Sequence, residues 1–156
     1  VRSVVAIDPG PRESAYVIYD GLSVIEKGKE SNEDIVSSLP MMGALYNRLV
    51  IEKIACYGMA VGEEVFETVF WSGRFAQVFG PQRVDRITRR EVKLSLCNSV
   101  KAKDGNVRQA LIDRFGAVGT KKAPGLLYGI AGDEWAALGV AVAWWDANHV
   151  KELARQ

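Results

Sequence analysis

Four apolar residues in succession, Val4, Val5, Ala6 and Ile7, run into an Asp8-Pro9-Gly10 turn. A run that does not alternate needs cover on both faces, so this strand belongs at the centre of a sheet with layers on either side. Pro9 has no N–H to donate and Gly10 accepts positive φ, so the strand stops there and the chain turns back. The Asp8 carboxylate is thereby delivered to the carboxyl edge of the sheet. Taken alone, Asp8 needs to do no more than close that turn through its own backbone. It acquires chemical meaning only if other acids reach it.

At 156 residues, 48% hydrophobic and 25% charged, the chain supports one well-buried core and is short for two. We therefore expect a single domain over 1–156. The longest apolar run, Trp135 to Trp145, falls short of the ~20 residues a membrane span requires, and no basic-then-apolar leader opens the sequence. The expectation is a cytoplasmic protein. Cys56 and Cys97 have neither a CxxC spacing nor a histidine cluster, which reads as two reduced thiols rather than a disulfide or a zinc site. The one histidine, His149, reads as a solvated side chain, leaving serine or cysteine chemistry with a histidine partner poorly supported.

Net charge is only +1, but it is unevenly spread: residues 83–122 hold eleven Lys/Arg against four acids, about +7. Such a segment is either a solvated face or a track for a polyanion.

In chain order, Ser14 to Asp20 and Leu22 to Lys27 complete a three-strand antiparallel meander around the Asp20-Gly21 turn. Ser31 or Asn32 caps a short helix through Ile35, Val36 and Leu39 that ends at Pro40, with Met41 to Arg48 continuing as an irregular or helical connection. Leu49 to Ala55 is a further strand whose Glu52 is anomalous, since a buried carboxylate needs a cationic partner, a shifted pKa, a metal or an edge position. Gly62 to Phe79 predicts a helix with Val65, Phe66, Val69, Phe70, Gly73 and Phe75 at helical spacing. That apolar face is broader than burial on a sheet requires, and suits a helix-mediated dimer. A strand over 83–88 follows, then a helix over 89–96 capped by Thr88 with Arg89, Lys93 and Arg90 exposed. A helix over 106–115 ends at Gly116. After a glycine-containing loop with Lys121 and Lys122, a last helix runs from Asp133 to about His149. The order β-β-β-α-β-α-β-α-α-α fits an α/β sheet with antiparallel hairpins at its start.

Asp8 at a strand end, Glu52 in a strand and Asp133 at a helix start form a carboxylate set suited to hard cations. Paired ions of that kind activate water and stabilise a leaving oxygen in phosphodiester cleavage. Asp133 also has a structural reading, as the N-cap of an apolar helix.

With these residues in place, the chain resembles the RuvC-type Holliday-junction resolvases of the RNase H-like nuclease superfamily. The resemblance is carried by Val5-Ala-Ile-Asp-Pro-Gly-Pro-Arg-Glu-Ser-Ala-Tyr16, Val50-Ile-Glu52, Glu91-Val-Lys93 through Val107, and Gly132-Asp-Glu-Trp-Ala-Ala-Leu138, in the family's order across nearly the whole chain. It implies an RNase H-like mixed five-stranded sheet flanked by helices. It further implies a homodimer that binds branched DNA (four-way junctions) and nicks opposed strands symmetrically, with Mg²⁺ or Mn²⁺ held by Asp8, Glu52 and Asp133. Catalysis would rest on those acids and Lys93, and DNA contact on Arg12, Tyr57, Arg74, Arg89, Arg90, Lys93, Lys101 and Lys103.

One departure stands out. The family's last motif carries two ligands three residues apart, and here Asp133 is followed at that spacing by Ala136. Glu134 points about 100° away on a helix and Asp146 lies too far along to replace it. An endonuclease with three acids, an impaired one, and a junction-binding dimer with weak or no nuclease activity all remain open at this point. An actin-like phosphate-binding fold would need a second domain that this length does not provide.

Overall fold

The computed structural model describes residues 3–154; Arg2, expected in the first strand, lies outside them. In chain order come β1 (Val4–Asp8), β2 (Glu13–Tyr19), β3 (Val24–Ser31), α1 (Asn32–Leu45), β4 (Arg48–Lys53), α2 (Glu63–Phe79), a 3-10 turn at Pro81–Arg83, β5 (Val84–Thr88), α3 (Arg89–Cys97), α4 (Asp104–Phe115) and α5 (Glu134–Leu153). The sheet runs β3-β2-β1-β4-β5, with β1 in the middle as its apolar run requires. β1 and β2, and β2 and β3, pair antiparallel; β4 joins β1, and β5 joins β4, in parallel.

Alternation along β1 feeds two cores. Val4 and Ala6 join Val17, Tyr19 and Val50 against α3, α4 and α5, while Val5 and Ile7 join Ile18, Leu49 and Ile51 against α1 and α2. The result is a three-layer α/β/α domain. α5 is buried almost all round from Ala137 to Ala143, because it lies between the sheet and the α3–α4 pair. Gly139 permits that approach: a Cβ there would stand 3.3 Å from Val92 and 3.4 Å from Val107 side-chain carbons.

Several boundaries differ from the sequence expectation. α1 does not end at Pro40 but continues to Leu45. Proline removes one helical hydrogen bond, yet Pro40 is exposed and the following turn is held from outside: Arg83 Nη1 donates to the Gly43 carbonyl at 2.7 Å, and its Nη2 to that of Phe79 at 2.6 Å. β3 begins at Val24 rather than Leu22, because the Asp20 carboxylate accepts the N–H groups of Leu22 and Ser23 and keeps them in the turn. It then runs to Ser31, paired with Glu13. β4 stops at Lys53, and α5 continues past His149. His149 is not merely solvated: its ring stacks on Trp145 with centroids 4.2 Å apart. The Thr88 cap forms as expected, with a reciprocal bond from the Thr88 N–H to Glu91. Cys56 and Cys97 are free thiols. Among the described residues no helix is long and apolar enough to cross a membrane.

Candidate active site

Strand parity and register decide where the acids go. β1, β4 and β5 are parallel and end at the same edge, and Ile7 stands opposite Ile51, so the next residues, Asp8 and Glu52, come side by side. Both share the face of Ala6 and Val50, the face on which α5 packs. The same register row continues through Ala15 to Lys29 on β3 at one edge of the sheet, and to Ile87 on β5 at the other. The carboxyl edge of parallel strands is where α/β sheets place ligands.

The turn that ends β1 is fixed by a closed polar circuit. The Gly10 N–H donates to Ser14 Oγ at 3.1 Å, the Ser14 hydroxyl to Asn32 Oδ1 at 2.6 Å, and Asn32 Nδ2 to the Gly10 carbonyl at 2.9 Å. Ser14 and Asn32 are buried, so each polar group is satisfied by the others. Asn32 thus serves the turn, while Ser31 caps α1 through the Asp34 N–H. A Cβ on Gly10 would lie 2.3 Å from the Glu13 carbonyl oxygen, so only glycine fits there.

Asp8 and Glu52 are close enough to share a proton. Burial, the Glu52 charge and hydrogen bond, and the charge of Asp133 push the Asp8 carboxyl up to about 8, against the pull of Arg89. Glu52 is also raised, chiefly by burial, with Arg89 and the hydrogen bond from Asp8 opposing. The pair behaves as a like-charge dyad at a half-sealed edge. The Glu52 side chain is only 11% exposed. An edge position, one of the four ways to accommodate that glutamate, is excluded, since β4 lies between β1 and β5.

Arg89 corrects an expectation. Placed on the exposed side by its helix position, it is instead turned inward: Nη1 lies 3.6 Å from Glu52 Oε1, and Nη2 bonds Asp104 Oδ1 at 2.5 Å. The reason is local, because α3 starts directly after β5 at the edge that carries the dyad, and a guanidinium there lowers the cost of burying two acids. Arg89 in turn holds the Asp104 carboxyl below the usual range.

Asp133 immediately precedes α5 and bonds Lys29 Nζ at 2.8 Å, while Glu134 bonds Lys27 Nζ at 3.0 Å. Two lysines on one face of β3 therefore strap the start of α5 to the sheet. Ala136 lines a small cavity of about 100 Å³ together with Arg89, Asp104 and Asp133. A second, larger cleft of about 1050 Å³ lies on the other side of Asp133, between Arg12, Lys29, Trp71 and a wall of glutamates including Glu63, Glu64 and Glu67.

Of the expected DNA contacts, Arg12, Tyr57, Arg74, Arg90, Lys101 and Lys103 are exposed, and Lys93 is half-buried. Arg90 lies flat on Tyr57, 3.7 Å from the ring centroid, and Arg74 on Trp71 at 4.3 Å. Lys93 lies near enough to lower the Glu52 carboxyl. Sequence reasoning did not reach Lys29, Asp104 and Trp71. The i, i+2 pair Lys27 and Lys29 in a strand, directed to one face, was the available signal for the first.

Whether the site suits a divalent cation turns on its donors. Oε1 of Glu52 is buried and has no hydrogen-bond partner, and it stands beside Asp8, whose carboxyl burial and the Glu52 charge push up. Hard oxygen donors of this kind fit Mg²⁺ or Mn²⁺. With Asp133 drawn to Lys29, no group of three or more His, Cys, Asp or Glu side chains among the described residues is close enough to hold an ion. The donors fit in kind, while Asp133 is held by Lys29.

A mixed five-stranded sheet in this order, with helices on both faces, defines the RNase H-like α/β fold. Among solved structures the chain is similar to Thermus thermophilus RuvC, with a TM-score of 0.71 and 15% identity over 96% of each chain. It is also similar to T. thermophilus RuvC in complex with a Holliday junction substrate, with a TM-score of 0.67 and 15% identity over 92% of each chain. At that identity the likeness is one of fold. No protein-family model matches the chain, and no curated protein sequence matches it.

Proposed function

We propose that this protein is a divalent-metal-dependent, structure-selective DNA endonuclease that resolves four-way junctions as a homodimer. The observation that carries the reading is the Asp8–Glu52 dyad, side by side at the carboxyl edge and facing the start of α5, in a fold like that of a protein solved with a Holliday junction. A bound divalent ion there would supply Lewis-acid activation of water and charge stabilisation for an in-line displacement at phosphorus. The chain's own residues do the rest. Asp8, Glu52 and Asp133 offer oxygen ligands, Lys93 offers a cation for phosphate, and the Gly10 turn holds Asp8 in place. Products with 5′-phosphate and 3′-hydroxyl ends are expected.

Arg12, Arg90 with Tyr57, Lys101 and Lys103 lie exposed around this edge and suit the DNA backbone and unstacked bases. Phe66, Val69 and Phe70 project from α2 at 65%, 50% and 59% exposure beside Gly73, where an added Cβ would meet nothing within 4 Å. That face is the one we assign to the twin subunit. Catalysis by two opposed sites would then give symmetric nicks.

End-labelled synthetic four-way DNA incubated with the protein and Mg²⁺ or Mn²⁺ tests the reading. Paired nicks on opposed strands are expected, lost on the order of 10²–10³-fold in Asp8→Asn and Glu52→Gln without loss of junction binding. Binding with no nicks at any metal concentration would reject the enzyme. A second reading, a junction-binding dimer with weak or no cleavage, is favoured by Ala136, which leaves the last helix one carboxylate short. Ala136→Asp separates the two: a gain in cleavage marks an impaired site, and no change marks a native three-acid centre.

A further inference from the structure

Arg48, Arg83, Arg89 and Arg114 each have an oxygen partner: Asp85, the carbonyls of Gly43 and Phe79, Asp104, and Asp146 in turn. Arg108 on α4 has none. Among the described residues its guanidinium makes no ion pair and no hydrogen bond, and its partner is instead the face of Trp135, with Cζ 4.6 Å from the ring centroid. Trp135 stands in the first turn of α5 and is 8% exposed, so the ring is a fixed floor. The exposed Arg108 and this ring both line the cavity that opens at Ala136, beside Asp133.

A lone cation on a helix face is ordinarily solvated, and the neighbours of Arg108 are what set it apart. Asp104 lies four residues earlier on α4, the spacing at which a helix pairs an acid with a base, yet it is bonded to Arg89. Asp133 lines the same cavity and is bonded to Lys29. Both acids that face this space thus have cations of their own, and Arg108 is left over. An arginine laid on an aromatic ring is restrained in advance, while the N–H groups at the edge of its plane stay free. That is a geometry that takes a phosphate through two parallel hydrogen bonds, which the point charges of Lys93, Lys101 and Lys103 cannot do. Resting on the DNA-cleaving reading of the site, we propose that Arg108 binds a backbone phosphate of the DNA strand that enters it, and that Trp135 is the residue that positions Arg108. The short Ala136 side chain leaves the cavity beside that guanidinium open.

The test is binding of synthetic four-way DNA to the full chain in EDTA, a readout that does not depend on cleavage. Arg108→Met keeps an apolar stem over Trp135 and removes the charge. It should weaken binding about tenfold, lower the slope of log binding constant against log salt by about 0.9, and leave the thermal midpoint where it was. Neutral methylphosphonate links, placed one at a time through the strands near the branch, locate the contact: one of them should weaken wild type about tenfold and cost Arg108→Met nothing. Arg108→Lys, which has no plane to lay on Trp135, should keep the slope and lose about threefold in affinity; full affinity in it would overturn the part given to Trp135. An arginine that merely covered the ring would give the reverse pattern in Arg108→Met, a lower thermal midpoint with affinity and slope unchanged. That result would overturn the proposal and leave the nuclease reading intact. Wild type that does not bind four-way DNA would sink that reading and this proposal with it. Should Arg108→Met fail to fold, Arg108→Gln decides by the same slope and the same methylphosphonate scan.

Discussion

A carboxyl group that holds its proton to near neutral pH destabilises the fold that carries it. In an unfolded chain Asp8 ionises near its ordinary value of 3.8, whereas in the fold it does so at about 8. Between those values the unfolded chain has released a proton that the folded chain keeps, so stability falls as pH rises through the window. In metal-free buffer Asp8→Asn should therefore be more stable than wild type at pH 8 by roughly 1–2 kcal/mol, with the difference shrinking toward pH 4. Denaturant melts across that range in a chelator measure it. Adding Mg²⁺ should stabilise wild type and not the variant, since ligands that bind only the native state raise its stability. Asp8 itself was legible in the sequence, because an apolar run ending in Pro-Gly has little freedom. Arg89 was not: helical phase puts it outside α3, and nothing local announces that Asp104 and Glu52 arrive from elsewhere in the chain to turn it inward.

Among the elements, α2 shows how a pattern can be read correctly and still be incomplete. Its broad apolar face is in fact two faces. Trp71, Phe75 and Phe79 are buried on the sheet, while Phe66, Val69 and Phe70 meet solvent. Spacing showed the excess; only packing separates the two stripes. If the outer stripe is the subunit contact, Phe66→Glu with Phe70→Glu should convert the dimer to monomer in analytical ultracentrifugation while leaving monomer unfolding nearly unchanged. A dimer that survives both charges would assign the contact elsewhere. α1 failed differently. Pro40 is a strong local stop signal, overridden here because Arg83, forty residues on, supplies donors to carbonyls of both α1 and α2. Tertiary bonds of that kind have no trace in a local window.

For the whole molecule, the central place of β1, the mixed five-stranded sheet with helices on either face and the meeting of Asp8 with Glu52 followed from periodicity and the family resemblance together. What stayed hidden was polarity at the scale of surfaces. The cleft beside Arg12 is walled by glutamates, so, Arg12 apart, the side of Asp133 toward α2 disfavours phosphate, and on the proposed reading DNA would lie along the basic residues of α3 and of the connection to α4. Junction affinity should accordingly depend on salt through Lys101 and Lys103. In a log–log plot of binding constant against salt concentration, their joint replacement by alanine should reduce the slope by about 1.8, at ~0.9 per lost phosphate contact. An unchanged slope would place the DNA on another face.

The burial of α5 sets a timetable for synthesis. Asp8 and Glu52 leave the ribosome long before residues 134–144, yet Val4, Ala6, Val17 and Val50 have no inner wall until that helix docks. The straps from Lys27 and Lys29 close at the same moment. A nascent chain arrested before α5 would display a half-covered sheet to chaperones and hold two of its acids in no working arrangement. Whatever chemistry the edge supports thus waits for α5.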